Sequence, residues 1–449
     1  MLSKSIISSR FSHIPCGTVG MISPQAFSTT ASREEKKSYK LVVVGGGSGG
    51  ITMSAKFGSK LGKGNTAIIE PMETHYYQPY WTLVGGGLKN VENSGRPMKS
   101  VIPKTVDWIK DRVVSFEPDK NVVHTQNGHE VSYEYMIVSM GIKLDFQKIK
   151  GLPEAFQTPG VCSNYSLHTV TKTPQAMKDF KEGNAVFTLP NTPIKCAGAP
   201  QKVMYLTDAY MRKVGKRDKA NFIYNTALGV MFSAPKYAAE LLEVAKDKGI
   251  AVNFQHNLIE VNSVKKEATF EKLSSDKEPK ETVTYPYEML HVTPPMSTPE
   301  QLQKSPLVDA SGYLTVNKHT LQHVKYPNIF GIGDCTNVPT SKTAAAIASQ
   351  SGVLRKNLKA VMAGQPLPGQ YNGYTSCPLI TGYNKCILAE FDFDLKPLET
   401  FPFDQGKESR LMWHVKKDFM SPLYWHLLLN GWWEGPWLFR KLFHLGMSR

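Results

Sequence analysis

Two cysteines stand in settings that suit sulfur redox chemistry. Cys196 lies in NTPIKCAGAPQK, between the strand-like run GNAVFTL and a helical pattern whose first turn accommodates Pro200. A thiol just before a helix N-terminus, with Lys195 alongside, is drawn toward the thiolate by the helix dipole and the lysine charge. Cys377 lies in TSCPLITGYNK, before Pro378 and after a Gly- and Tyr-rich turn. The turn that holds Cys196 is where a nucleotide-binding α/β unit would carry a glycine-rich phosphate loop. Asn191, Pro193, Ile194 and Lys195 stand there instead, and their side chains would obstruct a pyrophosphate. This argues against a pyridine nucleotide substrate and leaves only an unusual binding mode open. No two cysteines show the short spacing of an active-site dithiol, and His75, His168 and His291 show no metal spacing, so no metal site is expected. Cys335 and Cys386 are expected to pack in the core, and Cys162 has no assigned part in the mechanism.

These thiols need elements to bring them together. Residues 39–70 predict strand, glycine turn, helix and strand. Gly45, Gly47 and Gly50 supply G-x-G-x-x-G directly after the apolar run LVVV. The first glycine permits the tight turn, the second lets a pyrophosphate approach the backbone, and the third allows close helix packing. Glu70, at the end of the second strand, is placed to bond adenosine ribose hydroxyls. Further strands are predicted in YEYMIVSMGIKLD and NIFGIGDCTN, the latter ending in Gly333-Asp334. The expected fold class is α/β, with two Rossmann-like dinucleotide-binding domains.

A chain of 449 residues with 41% hydrophobic content can form two or three cores. The formal charge of +15 suits an acidic membrane surface or anionic substrates. Nucleic acid is not an expected partner, because no recognition motif or dense basic run accompanies the charge. Six scattered cysteines do not make the disulfide framework of a secreted domain. Residues 1–35 have the basic, serine-rich composition of a mitochondrial transit peptide, with no acidic residue before Glu34. At the other end, Leu423, Leu427 and Leu428, then Trp437, Leu438, Leu442 and Leu445, fall on apolar faces at helical spacing. Lys416, Lys417, Arg440 and Lys441 accompany them, as in helices lying in a headgroup region; a helix pair closing the core is the competing expectation.

The segments HYYQPYWTLVGGG, SGRPMKSVIP, KCAGAPQK, YEMLHVTPPMS, GIGDCTNVPTSKTAAAIASQSGV and YTSCPLITGYNK together resemble the mitochondrial sulfide:quinone oxidoreductase family from about residue 39 to the C-terminus. The resemblance implies a discontinuous FAD-binding domain over residues 39–155 and 299–385, and a second Rossmann-like domain over 156–298 carrying Cys196. Residues 386–449 would form a terminal strand region and monotopic membrane-binding helices. It also implies FAD held by Gly45, Gly47, Ser48, Gly49, Gly50, Glu70, Gln78, Val113, Asp334, Lys342, Thr343, Ala344 and Ala345. Cys196 and Cys377 would be the redox pair, bridged at rest as a disulfide or trisulfide, with Lys202 and Lys342 as contributors to a positive sulfur site. Hydrogen sulfide would be oxidised, ubiquinone would take two electrons, and a small acceptor such as glutathione or sulfite would take the sulfane sulfur at the inner mitochondrial membrane. The alternatives are a type II NADH:quinone oxidoreductase and a non-catalytic redox-sensing flavoprotein.

Overall fold

The apolar run Leu41–Val44 is fully buried because a parallel strand hydrogen-bonds on each side of it and other layers cover both faces. The computed structural model describes residues 36–447, so the expected transit peptide lies outside the described residues. Strand Lys36–Val44 pairs in parallel with Thr66–Ile69 and with Glu130–Val138, setting Val42 opposite Ala67 and Met136. Asp107–Ile109 extends one edge of this sheet. Val122–Thr125 and Val113–Glu117 extend the other as antiparallel strands. Ile329–Gly331 then returns from far along the chain to pair in parallel with the C-terminal half of Glu130–Val138.

Between these strands the chain builds a second sheet. Its five strands, in spatial order Val161–Cys162, Met289–His291, Gly183–Leu189, Ala220–Thr226 and Ile250–Phe254, are all parallel. Helix Ala199–Lys213 follows the third of them, with proline in its first turn, where a missing N–H costs no intrahelical bond. A three-stranded antiparallel sheet, residues 256–262, 267–272 and 282–286, adjoins this unit. The two-sheet α/β expectation therefore holds.

Cys377 is not in a turn. It lies within strand Thr375–Gly382, paired antiparallel with Lys385–Phe391 so that Cys377 faces Ala389. Every residue of the first strand is buried, with helices Ala199–Lys213 and Ala344–Met362 packed against it. The proposed division between residues 385 and 386 would cut this hairpin.

The C-terminal segment differs from a pair of surface helices. Residues 410–428 form one helical run with two π-helical stretches, Val415–Phe419 and Leu423–Leu428. Tyr424, Trp425, Leu428 and Leu429 join the core of the first sheet, so the closing-helix reading is right for this part. Helix Trp437–Phe443 behaves otherwise: Trp437, Leu438 and Leu442 are exposed, as are Trp432, Leu445 and Met447. No helix among the described residues is long and apolar enough to cross a membrane.

Candidate active site

Cys196 sits in a turn whose backbone is held in the left-handed region, φ 83°, a conformation a non-glycine residue adopts at a cost. The turn closes through an Ala199 N–H to Cys196 carbonyl bond of 2.7 Å. Gly198 shows how closely it approaches the other cysteine: a Cβ there would stand 2.3 Å from Leu379 Cδ2, so a side chain would have to displace that leucine where the turn presses onto the Cys377 strand. The two thiols are in hydrogen-bond contact. The bond from Cys377, followed by the charges of Lys202 and Lys416, holds Cys196 well below the usual thiol range against the opposing effect of burial. The same bond, with burial, pushes Cys377 well above it. Of the two sulfurs, Cys196 is therefore the one favoured as thiolate and Cys377 the one favoured as thiol.

The positive charge comes from Lys202, which was expected, and from Lys416, which was not. Lys195 does not serve the thiol; its Nζ donates to Gln78 Oε1 at 2.6 Å and to the Tyr165 carbonyl at 3.4 Å. Lys202, one turn into the helix, donates to Cys196 Sγ at 3.3 Å, although it is 97% buried. Burial works against its charge, but the sulfur pair outweighs it and holds the ammonium above the usual lysine range. Lys416, expected at a headgroup surface, is buried instead and donates to the Pro79 carbonyl at 3.0 Å. Burial and then repulsion from Lys202 lower it to about 8. It was not legible as a site residue because its neighbours in sequence have the composition of an interfacial helix. Lys342 does not reach the sulfurs; its Nζ binds the carbonyls of Asp334 and Thr336.

Lys342 and Thr343 nevertheless join the two cysteine segments. Lys195 and Lys342 form a parallel bridge, and Thr343 Oγ1 lies 2.9 Å from Thr375 Oγ1, two residues before Cys377. Thr343 also caps helix Ala344–Met362 by accepting from the Ala346 N–H. Asp334 faces this junction. Burial raises its pKa while Lys342 and Lys195 oppose the rise.

The glycine loop forms a second cluster. Gly50 is required, since a Cβ there would lie 1.8 Å from the Gly45 carbonyl oxygen. At Gly47, by contrast, a Cβ would meet nothing within 4 Å, which leaves that side of the loop open. Helix Ser48–Leu61 begins here with no side-chain cap, so its first amides face outward as a ready anion site. Glu70 accepts from the Gly46 N–H at 2.6 Å and from the Met72 N–H at 2.7 Å. Val113 is buried, one residue beyond Arg112, whose charge reaches Glu70. An open glycine face, uncapped helix amides and a fixed carboxylate fit the diphosphate and ribose of a dinucleotide.

The loop is braced from the far end of the chain. His75 Nδ1 lies 2.9 Å from the Gly46 carbonyl, which can only accept, so Nδ1 carries the proton. Burial lowers His75 to about 4, against the Gly46 bond, so the ring is neutral near pH 7 and Nε2 accepts from the Tyr424 hydroxyl at 2.6 Å. Tyr424 oxygen in turn lies 2.8 Å from Ser48 Oγ, which is left to donate to it. Ser48 thus faces Tyr424 with its hydroxyl, and its backbone N–H is what remains for a phosphate. The same helix continues the contact: Thr52 Oγ1 donates to the Leu428 carbonyl at 3.1 Å, and Lys56 binds the Gly431 carbonyl and Glu434. Arg355 closes on Glu434 from the other side at 2.6 and 2.9 Å.

The chain is similar in sequence and in fold to known proteins. The model of the pyridine nucleotide-disulphide oxidoreductase family matches residues 39–182. The chain is 56% identical to the mitochondrial sulfide:quinone oxidoreductase of Mus musculus over 425 residues, covering 95% of this chain and 94% of that protein. It is 44% identical to the protein of the same name from Dictyostelium discoideum, covering 96% and 94%. The crystal structure of the sulfide:quinone oxidoreductase from Aquifex aeolicus shares the fold with a TM-score of 0.73 at 19% identity, covering 88% of this chain and 92% of that one.

Proposed function

Since the chain belongs to the mitochondrial sulfide:quinone oxidoreductase family, we infer that it oxidises hydrogen sulfide with a quinone, using Cys196 and Cys377 as its redox pair. It is a flavoprotein, and FAD when bound supplies the two-electron acceptor that links sulfide to the quinone. The observation that carries the reading is the contact between a thiolate and a thiol under a buried lysine, at the turn where a pyridine nucleotide loop would otherwise stand.

In the oxidised pair, hydrosulfide attacks the Cys377 sulfur and breaks the bond to Cys196. The products are a persulfide on Cys377 and a thiolate on Cys196. The arrangement supports this polarity, because Cys196 is the sulfur that Lys202 and Lys416 stabilise as an anion. A leaving thiolate of low pKa departs faster. The left-handed turn and Gly198 keep both sulfurs in register for this exchange. Gly45, Gly47, Ser48, Gly49 and Gly50 would hold the diphosphate, Glu70 the ribose, and Asp334 with Lys342, Thr343, Ala344 and Ala345 the flavin end. Gln78 is fixed by Lys195 toward the same junction, and Val113 lines the nucleotide side.

The mitochondrial name carried by the relatives supports a mitochondrial location. We extend this to the inner membrane surface, with ubiquinone as acceptor and glutathione or sulfite taking the sulfane sulfur. The exposed apolar helix Trp437–Phe443 supports attachment by partial insertion. The obstructed second loop favours sulfide over NADH as reductant. Anaerobic flavin absorbance tests the reading: sulfide should bleach the bound flavin, decylubiquinone should restore it, and NADH should do neither. Cys196→Ser should retain FAD and lose bleaching by sulfide; normal bleaching in that variant would remove Cys196 from the mechanism.

A further inference from the structure

Helices Ser48–Leu61 and Ala344–Met362 pack side by side, and Glu434 wedges between them. Lys56 meets it from the first helix at 2.7 Å, and Arg355 from the second at 2.6 and 2.9 Å. The fit is close, since a Cβ on Gly352 would stand 2.9 Å from Glu434 Oε2. Residues four apart share a helix face, so the next turn brings Lys60 and Lys359 to the same seam. These two lysines meet each other: their side chains are in hydrogen-bond contact, with Lys60 exposed and Lys359 half-buried. That contact, followed by burial and the charge of Arg355, lowers Lys359 below the usual lysine range, and Glu434 only partly opposes it. Among the described residues Glu434 is the one carboxylate that bears on Lys359, and it is already bonded to Lys56 and Arg355.

Each lysine lies in the last turn of its own helix, where the dipole favours a cation. The dipoles do not explain why two ammonium groups face one another, which is repulsive. A shared anion turns that repulsion into attraction, and lysine serves phosphate as a point charge. The surroundings say where such an anion comes from. Lys56 also donates to the Gly431 carbonyl at 2.5 Å, and the next residue, Trp432, is 76% exposed. Helix Trp437–Phe443, with Trp437 and Leu438 exposed, begins three residues after Glu434. Exposed indoles beside a basic cluster match the headgroup layer of a bilayer, where tryptophan ranges alongside lipid phosphates.

We propose that Lys60 and Lys359 form a dibasic notch that takes the phosphate of an anionic phospholipid headgroup, beside the place where Trp432 and helix Trp437–Phe443 meet the bilayer. This rests on the membrane-attachment reading. The apolar helix anchors the protein, and the notch selects acidic lipid.

The test uses the full-length FAD-loaded protein and sedimentation with vesicles of phosphatidylcholine, alone or mixed with phosphatidylglycerol. In Lys60→Gln combined with Lys359→Gln, the half-saturating concentration of mixed vesicles should rise about tenfold. Binding to phosphatidylcholine vesicles and flavin reduction by sulfide should stay within about twofold of the wild type. Both side chains reach solvent, so the variants should fold. Each single variant should show most of the tenfold loss, because one phosphate is shared. Single losses that simply multiply would overturn the proposal in favour of diffuse attraction. So would an equal loss in Lys213→Gln combined with Lys265→Gln, which removes two exposed lysines elsewhere. Inorganic phosphate should release no more wild-type protein from mixed vesicles than sodium chloride of equal ionic strength; greater release would assign the pair to free phosphate. Equal wild-type recovery with both vesicle types would remove the notch and leave the attachment standing, whereas recovery with neither would remove the attachment reading and the notch with it.

Discussion

Of the residues around the sulfur pair, Lys202 has the clearest single effect. Its ammonium is buried and 3.3 Å from Cys196 Sγ, so replacing it removes a charge that water cannot substitute. In Lys202→Met the pH midpoint for alkylation of Cys196 should move upward by about one unit or more, each unit being about 1.4 kcal/mol. Lys195→Met, which removes a lysine adjacent in sequence but bonded to Gln78, should leave that midpoint nearly in place. A profile that moves with Lys195 and not with Lys202 would reverse the assignment. The contrast marks what single residues disclose. Cys196 was legible because its replacement of a phosphate loop and its place before a helix are local features. Lys202 was named beside Lys195 and Lys342, but which of the three reaches the sulfur was not legible, since that depends on side-chain direction one turn into the helix. Lys416 was further hidden, because a segment of Lys, Trp and Leu reads alike whether it covers a core or a bilayer.

At the level of elements, the unforeseen feature is the seam between helix Ser48–Leu61 and the C-terminal run, in which Ser48, Thr52 and Lys56 repeat every four residues along one face. The glycine motif itself was plain, since strand, turn, helix and acidic residue follow in order. The seam was not, because it joins segments far apart in sequence through single side-chain contacts of Ser48, Thr52, Lys56 and His75. Tyr424→Phe would leave His75 Nε2 buried and without a donor, a loss of about 1–2 kcal/mol, or about 5- to 30-fold in FAD affinity. Flavin fluorescence during dilution would report it, and unchanged retention would show that the brace does not govern the loop. Acid should act at the same place. His75 is lowered from 6.5 to about 4 in the folded protein, so the unfolded chain takes up the proton first as pH falls. The associated stability is complete above pH 6.5 and is lost on descent toward pH 4, about 3 kcal/mol in all. His291, lowered to about 3, behaves in the same direction, so the difference between wild type and His75→Gln isolates the share of His75.

For the whole molecule, the C-terminal region divides into a part that completes the core and a part that faces outward. Ending the chain after Gly435 removes the exposed helix Trp437–Phe443 but keeps Tyr424, Leu428 and the Glu434 pairs with Lys56 and Arg355. That variant should keep its FAD and fail to sediment with acidic-lipid vesicles. Ending it after Gln405 should instead yield little folded flavoprotein. Equal vesicle recovery of the shorter variant and the full chain would move the attachment elsewhere. The two-sheet plan was visible in the sequence because buried parallel strands read as continuous apolar runs. The boundary between closing segment and surface helix was not, because both carry the same aromatic and basic residues. The seam on the first helix also has a temporal meaning. The nucleotide loop is made before Tyr424 and Glu434, which brace its helix. A ribosome therefore leaves the cofactor site unbraced until those residues emerge, and a frameshift before Tyr424 would weaken flavin loading with the glycine motif intact.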